Sequence, residues 1–118
     1  MYLILTVTPR RTGYIDVGNG VCRIDGDDTK GYGHWGAGTP TDHGDAVKMC
    51  NADPKCMGFW KHTIGSYQFF CSEETDLCNK GSQGSITKPS DLKGSGNQGG
   101  GSCFIKGLRD LRCFVNQL

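Results

Sequence analysis

The alternation of apolar and polar positions predicts one helix in the middle of the chain. An apolar face at helical spacing follows a candidate N-cap at Thr41 or Asp42. That face consists of Ala46, Val47, Met49 and Cys50. The segment Asn51–Pro54 ends the helix, because the residue before a proline avoids helical angles.

Two aromatic-rich segments after the helix predict a β-hairpin. Cys56–His62 and Tyr67–Ser72 are strand-like and are joined by the short turn Thr63–Ser66. Weaker strand patterns are found at Met1–Thr8, Tyr14–Val17, Val21–Ile24, Cys103–Lys106 and Arg112–Val115. Residues 81–102 are rich in glycine and serine and predict a long flexible insert. We therefore expect one α+β domain over residues 1–118, with an antiparallel sheet packed on one helix.

The composition suggests that this domain needs covalent support. Only 36% of the residues are hydrophobic and 19 are glycines, so the core is small and the unfolded chain has high entropy. The seven cysteines lie at Cys22, Cys50, Cys56, Cys71, Cys78, Cys103 and Cys113. They show no CxxC spacing of a zinc site, and such dispersed cysteines are typical of a disulfide-bonded secreted protein. At most three bonds can form within the chain, so one cysteine is left free or paired elsewhere.

Charge and hydropathy exclude two classes of partner. The 13 basic and 12 acidic side chains are well mixed and give a net charge of +1, so a nucleic-acid-binding surface is not expected. The apolar run Met1–Val7 is too short to span a membrane.

The passage from the helix to the hairpin carries the most specific pattern. Five residues separate Cys50 from Cys56, which is enough for a turn that brings the two sulfurs together. The sequence CNADPKC at Cys50–Cys56 is followed by MGFW at Met57–Trp60 and by YQFFCSE at Tyr67–Glu73. Over about residues 41–73 this arrangement resembles the PAN/apple family of extracellular modules. The resemblance implies a non-catalytic module that binds proteins or carbohydrates.

The chain also departs from the PAN/apple pattern. Ala46 stands where family members usually carry a further helix cysteine, the normal partner of the hairpin cysteine. Cys71 must therefore pair elsewhere, with Cys78 or Cys103. Apple domains link their termini, and the nearest available pair for this link is Cys22 with Cys113.

Candidate catalytic and metal-binding residues are few. His34, His43 and His62 are not in a ligand spacing, and no nucleophile motif is present. Asp25–Asp28 has three carboxylates but lacks the later glutamate of a calcium loop, so a solvated acidic turn is the preferred interpretation. We expect no catalytic residue, no metal and no cofactor, and therefore no enzyme.

Exposed aromatic residues are the first candidate binding site. Tyr32 and Trp35 lie in a glycine-rich stretch where no strand or helix obviously buries them, and Trp60 completes the set. Flat rings can stack on sugars or anchor a protein interface. The alternative is that Trp35 closes the open side of a small core.

The N-terminal strand, residues 1–9, is a candidate for self-association. Its apolar residues Leu3, Ile4, Leu5 and Val7 lie on both faces, and an uncovered edge of this kind favours strand addition to a second copy. The alternative is a central strand of its own sheet. We expect a secreted module that binds protein or carbohydrate and self-associates, even into a fibril. The alternatives are a monomeric lectin-like protein and a small secreted toxin or hydrolase.

Overall fold

The computed structural model describes residues 13–96 and 100–107, together with the backbone of two further strands at 5–7 and 113–115. The described chain is mostly β-structure with one short helix. The strands are β1 (Leu5–Val7), β2 (Gly13–Asn19), β3 (Cys22–Ile24), β4 (Gly33–Gly36), β5 (Cys56–Lys61), β6 (Tyr67–Cys71), β7 (Gly81–Gln83), β8 (Leu92–Gly94), β9 (Ser102–Gly107) and β10 (Cys113–Val115). The helix α1 covers His43–Asn51, and a 3-10 turn covers Pro89–Asp91.

A six-stranded antiparallel sheet organises the domain. Its strand order is β2-β9-β5-β6-β4-β7, while β3 pairs with β8 and β1 pairs with β10. The β1–β10 pair keeps the register of β2–β9. Val7 pairs with Cys113, and Gly13 pairs with Gly107. Gly13 follows Val7 by six residues, and Gly107 precedes Cys113 by the same number. The two pairs therefore share one register, although β1 and β10 form a separate two-stranded sheet among the described residues.

Alternation along β5 divides the core into two clusters on opposite faces of the sheet. On one face, Phe59 packs with Ala46 of α1 and with Phe69 of β6. On the other face, Trp60 packs with residues of β3, β8 and the following loops, among them Leu92. The sheet thus lies between the helix and a cover made of β3, β8 and loops. This sandwich explains how a chain with few apolar residues still buries both sheet faces.

The predicted helix and hairpin are confirmed. Asp42 is the N-cap of α1, and its carboxylate accepts the Asp45 backbone N–H at 2.8 Å. The strands β5 and β6 form the antiparallel hairpin, with a register shift between Cys56 and Gly58. Both predictions rested on local sequence signals, which tertiary contacts here reinforce.

Three disulfide bonds account for six cysteines. Cys50–Cys56 is present with an S–S distance of 2.04 Å and links the end of α1 to β5. Of the two partners considered for Cys71, the structure shows Cys78.

The link between Cys22 and Cys113 that the resemblance implied is wrong. Cys22 is bonded to Cys103, because β3 of the cover lies over β9 of the sheet. The three bonds use the six other cysteines, and the side chain of Cys113 lies outside the described residues.

The segment 81–102, which the sequence predicts to be a long flexible insert, contains regular secondary structure. This segment contains β7, the 3-10 turn and β8, and residues 97–99 lie outside the described residues. Ile86 is 1% exposed and Leu92 is fully buried, so the segment contributes directly to the core. The Asp91 carboxylate accepts the backbone N–H groups of Thr87 and Lys88 at 2.8 and 3.2 Å, which holds the turn between the two strands.

Candidate functional site

An open groove of about 870 Å³ lies beside the C-terminal end of α1. This volume is within the range of ligand sites, roughly 300–1,000 Å³. Three chain segments form its walls: the loop after β4, the end of α1, and the loop between β6 and β7. The lining residues are Ala37, Gly38, Thr39, Met49, Ala52, Asp53, Pro54, Thr75, Asp76, Leu77, Asn79 and Lys80. The lining is therefore partly apolar and partly polar.

The wall formed by the end of α1 is held from several sides. The Ala52 N–H donates to the carbonyl of Lys48, and the Asp53 carboxylate accepts the Lys55 N–H at 2.9 Å. The carbonyl of Asp53 accepts both the Cys56 N–H and the Lys106 ammonium, each at 3.0 Å. The turn around Pro54 is thus fixed to β5 and β9 before any ligand binds.

The wall formed by the β6–β7 loop is closed by the Cys71–Cys78 bond. Inside this covalent ring, the Thr75 hydroxyl accepts the Cys78 N–H at 3.1 Å, and the Thr75 N–H donates to the carbonyl of Cys78 at 3.3 Å. The Lys80 N–H donates to the carbonyl of Trp35 and joins the loop to β4. A pre-formed wall of this kind reduces the entropy lost on binding.

Two glycines let the walls approach each other. A Cβ at Gly36 would overlap the carbonyl oxygen of Leu77, so a larger residue there would push the β6–β7 loop away. Gly38 has a positive φ of 54°, and a Cβ would lie 2.8 Å from the Met49 methyl carbon. The depth and width of the groove therefore depend on both glycines.

The groove is acidic on balance. Asp53 and Asp76 line it against the single base Lys80. The loop between the two cysteines adds Glu73 and Glu74, and Glu73 is paired with Lys55 at 2.6 Å. Glu74 and Asp76 are exposed and have no ion pair among the described residues. Negative charge without an ion pair among the described residues thus lies next to the apolar lining residues of the groove.

The predicted aromatic residues lie together but do not form an exposed pocket. Trp60 is only 8% exposed, and its indole N–H donates to the carbonyl of Gly100 at 2.8 Å. Tyr32 and Trp35 are half-buried against the same cluster, so the expectation that no strand or helix buries this stretch is wrong. The formation of β4 explains the difference, since it places this glycine-rich stretch inside the sheet.

The ring faces of Tyr32 are also engaged. The Arg23 guanidinium lies 4.8 Å from its ring centre, and Phe70 approaches at 6.0 Å in an edge arrangement. None of the three predicted aromatic residues lines the groove. The packing of half-buried Trp35 against the core cluster favours the alternative interpretation, in which Trp35 closes the core.

The histidines do not converge on a site. His34 lies in β4 and His62 follows β5, where it contacts the Trp60 ring edge-on at 4.7 Å. His43 packs on Phe104 at 4.8 Å, and burial, followed by the charge of Lys61, lowers the pKa of His43. No group of three potential metal ligands occurs within the described ranges.

The acidic turn Asp25–Asp28 is satisfied by protein groups. The Asp25 carboxylate is paired with Lys30 at 3.0 Å, and Asp28 lies 3.9 Å from Arg23. The Asp27 carboxylate accepts the hydroxyl and the N–H of Thr29, which lowers the pKa of Asp27. A solvated turn therefore describes this segment better than a calcium site.

The candidate assembly residues are described only in part. Leu5 and Val7 lie in β1, which pairs with β10 of the same chain. Leu3 and Ile4 lie outside the described residues. In the described chain, one edge of β1 is thus already paired within the molecule.

Sequence reasoning missed the groove because its walls are three loop segments far apart in the chain. Two signals were nevertheless present: the acidic stretch EETD between Cys71 and Cys78, and the glycine pair at Gly36 and Gly38. Neither signal indicates a groove by itself, because the two segments come together only through the pairing of β4 with β6.

Comparison with protein-family models, with curated proteins and with solved structures finds no significant match to this chain. Over the part of the chain that the structure describes, no helix has the length and apolar character needed to cross a membrane.

Proposed function

We propose that this protein is a non-enzymatic extracellular module of PAN/apple-like α+β design that binds another protein through the groove beside α1. The observation that carries the proposal is the groove itself: about 870 Å³, partly apolar, and bounded by segments that two disulfide bonds hold in place. Such pre-formed walls suit recognition of a side chain or short segment of a partner.

The disulfide bonds support the extracellular part of this proposal. Three bonds among seven cysteines are typical of an oxidising compartment. The connection from α1 through Cys50–Cys56 into the β5–β6 hairpin is the part that supports a PAN/apple-like design.

The contacts of the aromatic residues favour a protein ligand over a carbohydrate. Sugar stacking needs an open ring face, whereas Tyr32 is covered by Arg23 and Trp60 is buried. The groove lining has no aromatic residue. Its mixture of apolar and charged lining residues instead resembles the pockets that take an apolar side chain of a protein partner.

The test uses the full, unreduced chain against two probes, a displayed random-peptide library and a glycan array. We expect peptide binding that Asn79→Arg reduces at least tenfold, because Asn79 lines the groove and the larger side chain fills it. Ser82→Arg is the matched control, since Ser82 is exposed on β7 outside the groove. Glycan binding that Trp35→Ala abolishes and Asn79→Arg leaves intact would instead establish the carbohydrate alternative.

A further inference from the structure

Most of the arginine charge of this chain lies in its two terminal segments. Four of the five arginines are Arg10, Arg11, Arg109 and Arg112. Residues 1–12 and 108–118 together contain these four bases and one acid, a net charge of +3. Residues 13–107 contain nine bases and eleven acids, a net charge of −2. A near-neutral protein is thus divided into a basic terminal part and an acidic central part.

The same terminal segments are also apolar. They contain Leu3, Ile4, Leu5, Val7, Leu108, Leu111, Phe114 and Val115. This combination of arginine and aliphatic side chains complements the groove, which has apolar lining residues, the exposed carboxylate of Asp76 in its lining and that of Glu74 in the same loop. Arginine is well suited to such a contact because its planar guanidinium can pair with a carboxylate through two hydrogen bonds.

The terminal segments precede and follow the sheet in the sequence. They adjoin Gly13 and Gly107, at one end of the β2–β9 ladder. Next to that end, the Lys106 ammonium contacts the carbonyl of Asp53, which lines the groove. The Tyr14 hydroxyl donates to the Asn51 amide oxygen at 2.7 Å and makes a second contact there. Two side-chain contacts therefore connect this end of the ladder to the segment Asn51–Asp53 beside the groove.

We propose that two copies of this chain form a dimer by exchange of their terminal segments, so that the arginine-rich segments of one copy occupy the acidic groove of the other. The proposal rests on the groove of the proposed function and names a second copy as its occupant. One two-fold axis relates the two contacts, because each copy gives its segments to the groove of the other. The assembly then closes at two copies, in contrast to the fibril expected from strand addition alone.

The test measures the mass of the full chain in solution by light scattering over a range of concentrations. We expect a monomer–dimer equilibrium that weakens as salt rises from about 0.05 M to about 0.5 M, because screening reduces contacts between exposed charges. The groove variant Glu74→Lys with Asp76→Lys should weaken dimerisation at least tenfold, and so should the segment variant Arg11→Glu with Arg109→Glu. The control Asp16→Lys with Asp28→Lys makes the same change in net charge as the groove variant outside the groove and should leave the dimer intact.

Mixing the two variants gives the decisive result. The groove variant keeps its basic segments, which fit the acidic groove of the segment variant. The segment variant in turn brings acidic segments to the basic groove of the groove variant. The mixture should therefore form a one-to-one dimer although each variant alone is monomeric. A wild-type protein that stays monomeric at all concentrations would overturn the proposal. So would growth beyond two copies, or equal loss of the dimer in the control variant.

Failure of this inference is distinguishable from failure of the proposed function. A monomer whose peptide binding is lost in Asn79→Arg would still use the groove for another protein.

Discussion

The Lys106 ammonium donates a hydrogen bond to the backbone carbonyl of Asp53 at 3.0 Å, and so joins β9 to the turn that follows α1. Opposing effects act on the ammonium, because partial burial lowers the pKa of Lys106 while the negative charge of Asp53 partly offsets this shift. The carbonyl keeps a second donor, the Cys56 N–H.

Replacement of Lys106 should separate these effects. We expect Lys106→Ala to lower the free energy of unfolding by about 1 kcal/mol, because it removes both the hydrogen bond and the packed aliphatic stem. Lys106→Met should cost less, since it keeps the stem and removes the desolvation of a charge. Urea denaturation midpoints of the two variants test this order, and Lys93→Met, at an exposed position of β8, is the control. An equal loss of stability in Lys106→Ala and Lys106→Met would show that the hydrogen bond contributes more than the packed stem.

The covalent links should differ in their contribution to stability. Cys22–Cys103 closes a sequence separation of 81, whereas Cys50–Cys56 closes one of 6. The chain-entropy model assigns about 4.5 kcal/mol to the first and about 2.4 kcal/mol to the second. We therefore expect the double alanine variant at Cys22 and Cys103 to lower the denaturation midpoint more than that at Cys50 and Cys56. The opposite order would mean that the turn after α1, and not the cover, limits stability.

The pKa of His43 predicts a pH dependence of stability. Burial lowers this pKa below its ordinary value of 6.5, so the folded protein binds the proton less readily than the unfolded chain does. The contribution of His43 to stability is therefore complete above pH 6.5 and is lost as the pH falls through the folded pKa. Thermal melts between pH 7 and pH 5 should show this loss in the wild type, and His43→Gln should remove that part of the slope. An unchanged slope in the variant would assign the loss to other groups.

Asp42 should stabilise α1 through its side chain, because its carboxylate satisfies the Asp45 N–H. We expect Asp42→Ala to lower the free energy of unfolding by about 1 kcal/mol, and Asp42→Ser to be nearly neutral, since serine also caps a helix. Thermal melts of the two variants at neutral pH compare them directly. If Asp42→Ser lost as much stability as Asp42→Ala, the negative charge at the helix N-terminus would matter more than the hydrogen bond.

Gly36 should control the shape of the groove. Because a Cβ would overlap the Leu77 carbonyl, Gly36→Ala should cost about 1–3 kcal/mol of stability and weaken binding at the groove. Gly44→Ala is the control, since a Cβ there meets only the Asp42 carboxylate at 3.4 Å. Measurements of unfolding and of peptide binding on the same samples separate the two effects. Full binding in a destabilised Gly36→Ala protein would exclude this loop from the binding site.

The sequence predicted α1 and the β5–β6 hairpin because their signals are local: a cap, an apolar face, a proline stop and a short turn. It failed at residues 81–102, where Ile86 and Leu92 are isolated apolar residues among glycine and serine and are buried only by partners far away in the chain. Likewise, Cys22–Cys103 follows from the packing of β3 on the sheet, which no spacing of cysteines reveals. The groove belongs to the same category, since three loop segments form it only after the sheet is assembled.

The shared register of β1–β10 and β2–β9 also determines how the domain responds to tension. A force that pulls β1 and β10 apart acts on one pair of backbone hydrogen bonds at a time, as in the opening of a zipper, and therefore meets little resistance. The opening stops where β3 and β9 are bonded covalently through Cys22 and Cys103. The domain would extend under a small force by a fixed length and then resist further extension. The groove walls lie between Cys22 and Cys103 in the chain, so the disulfide bond shields them from this force.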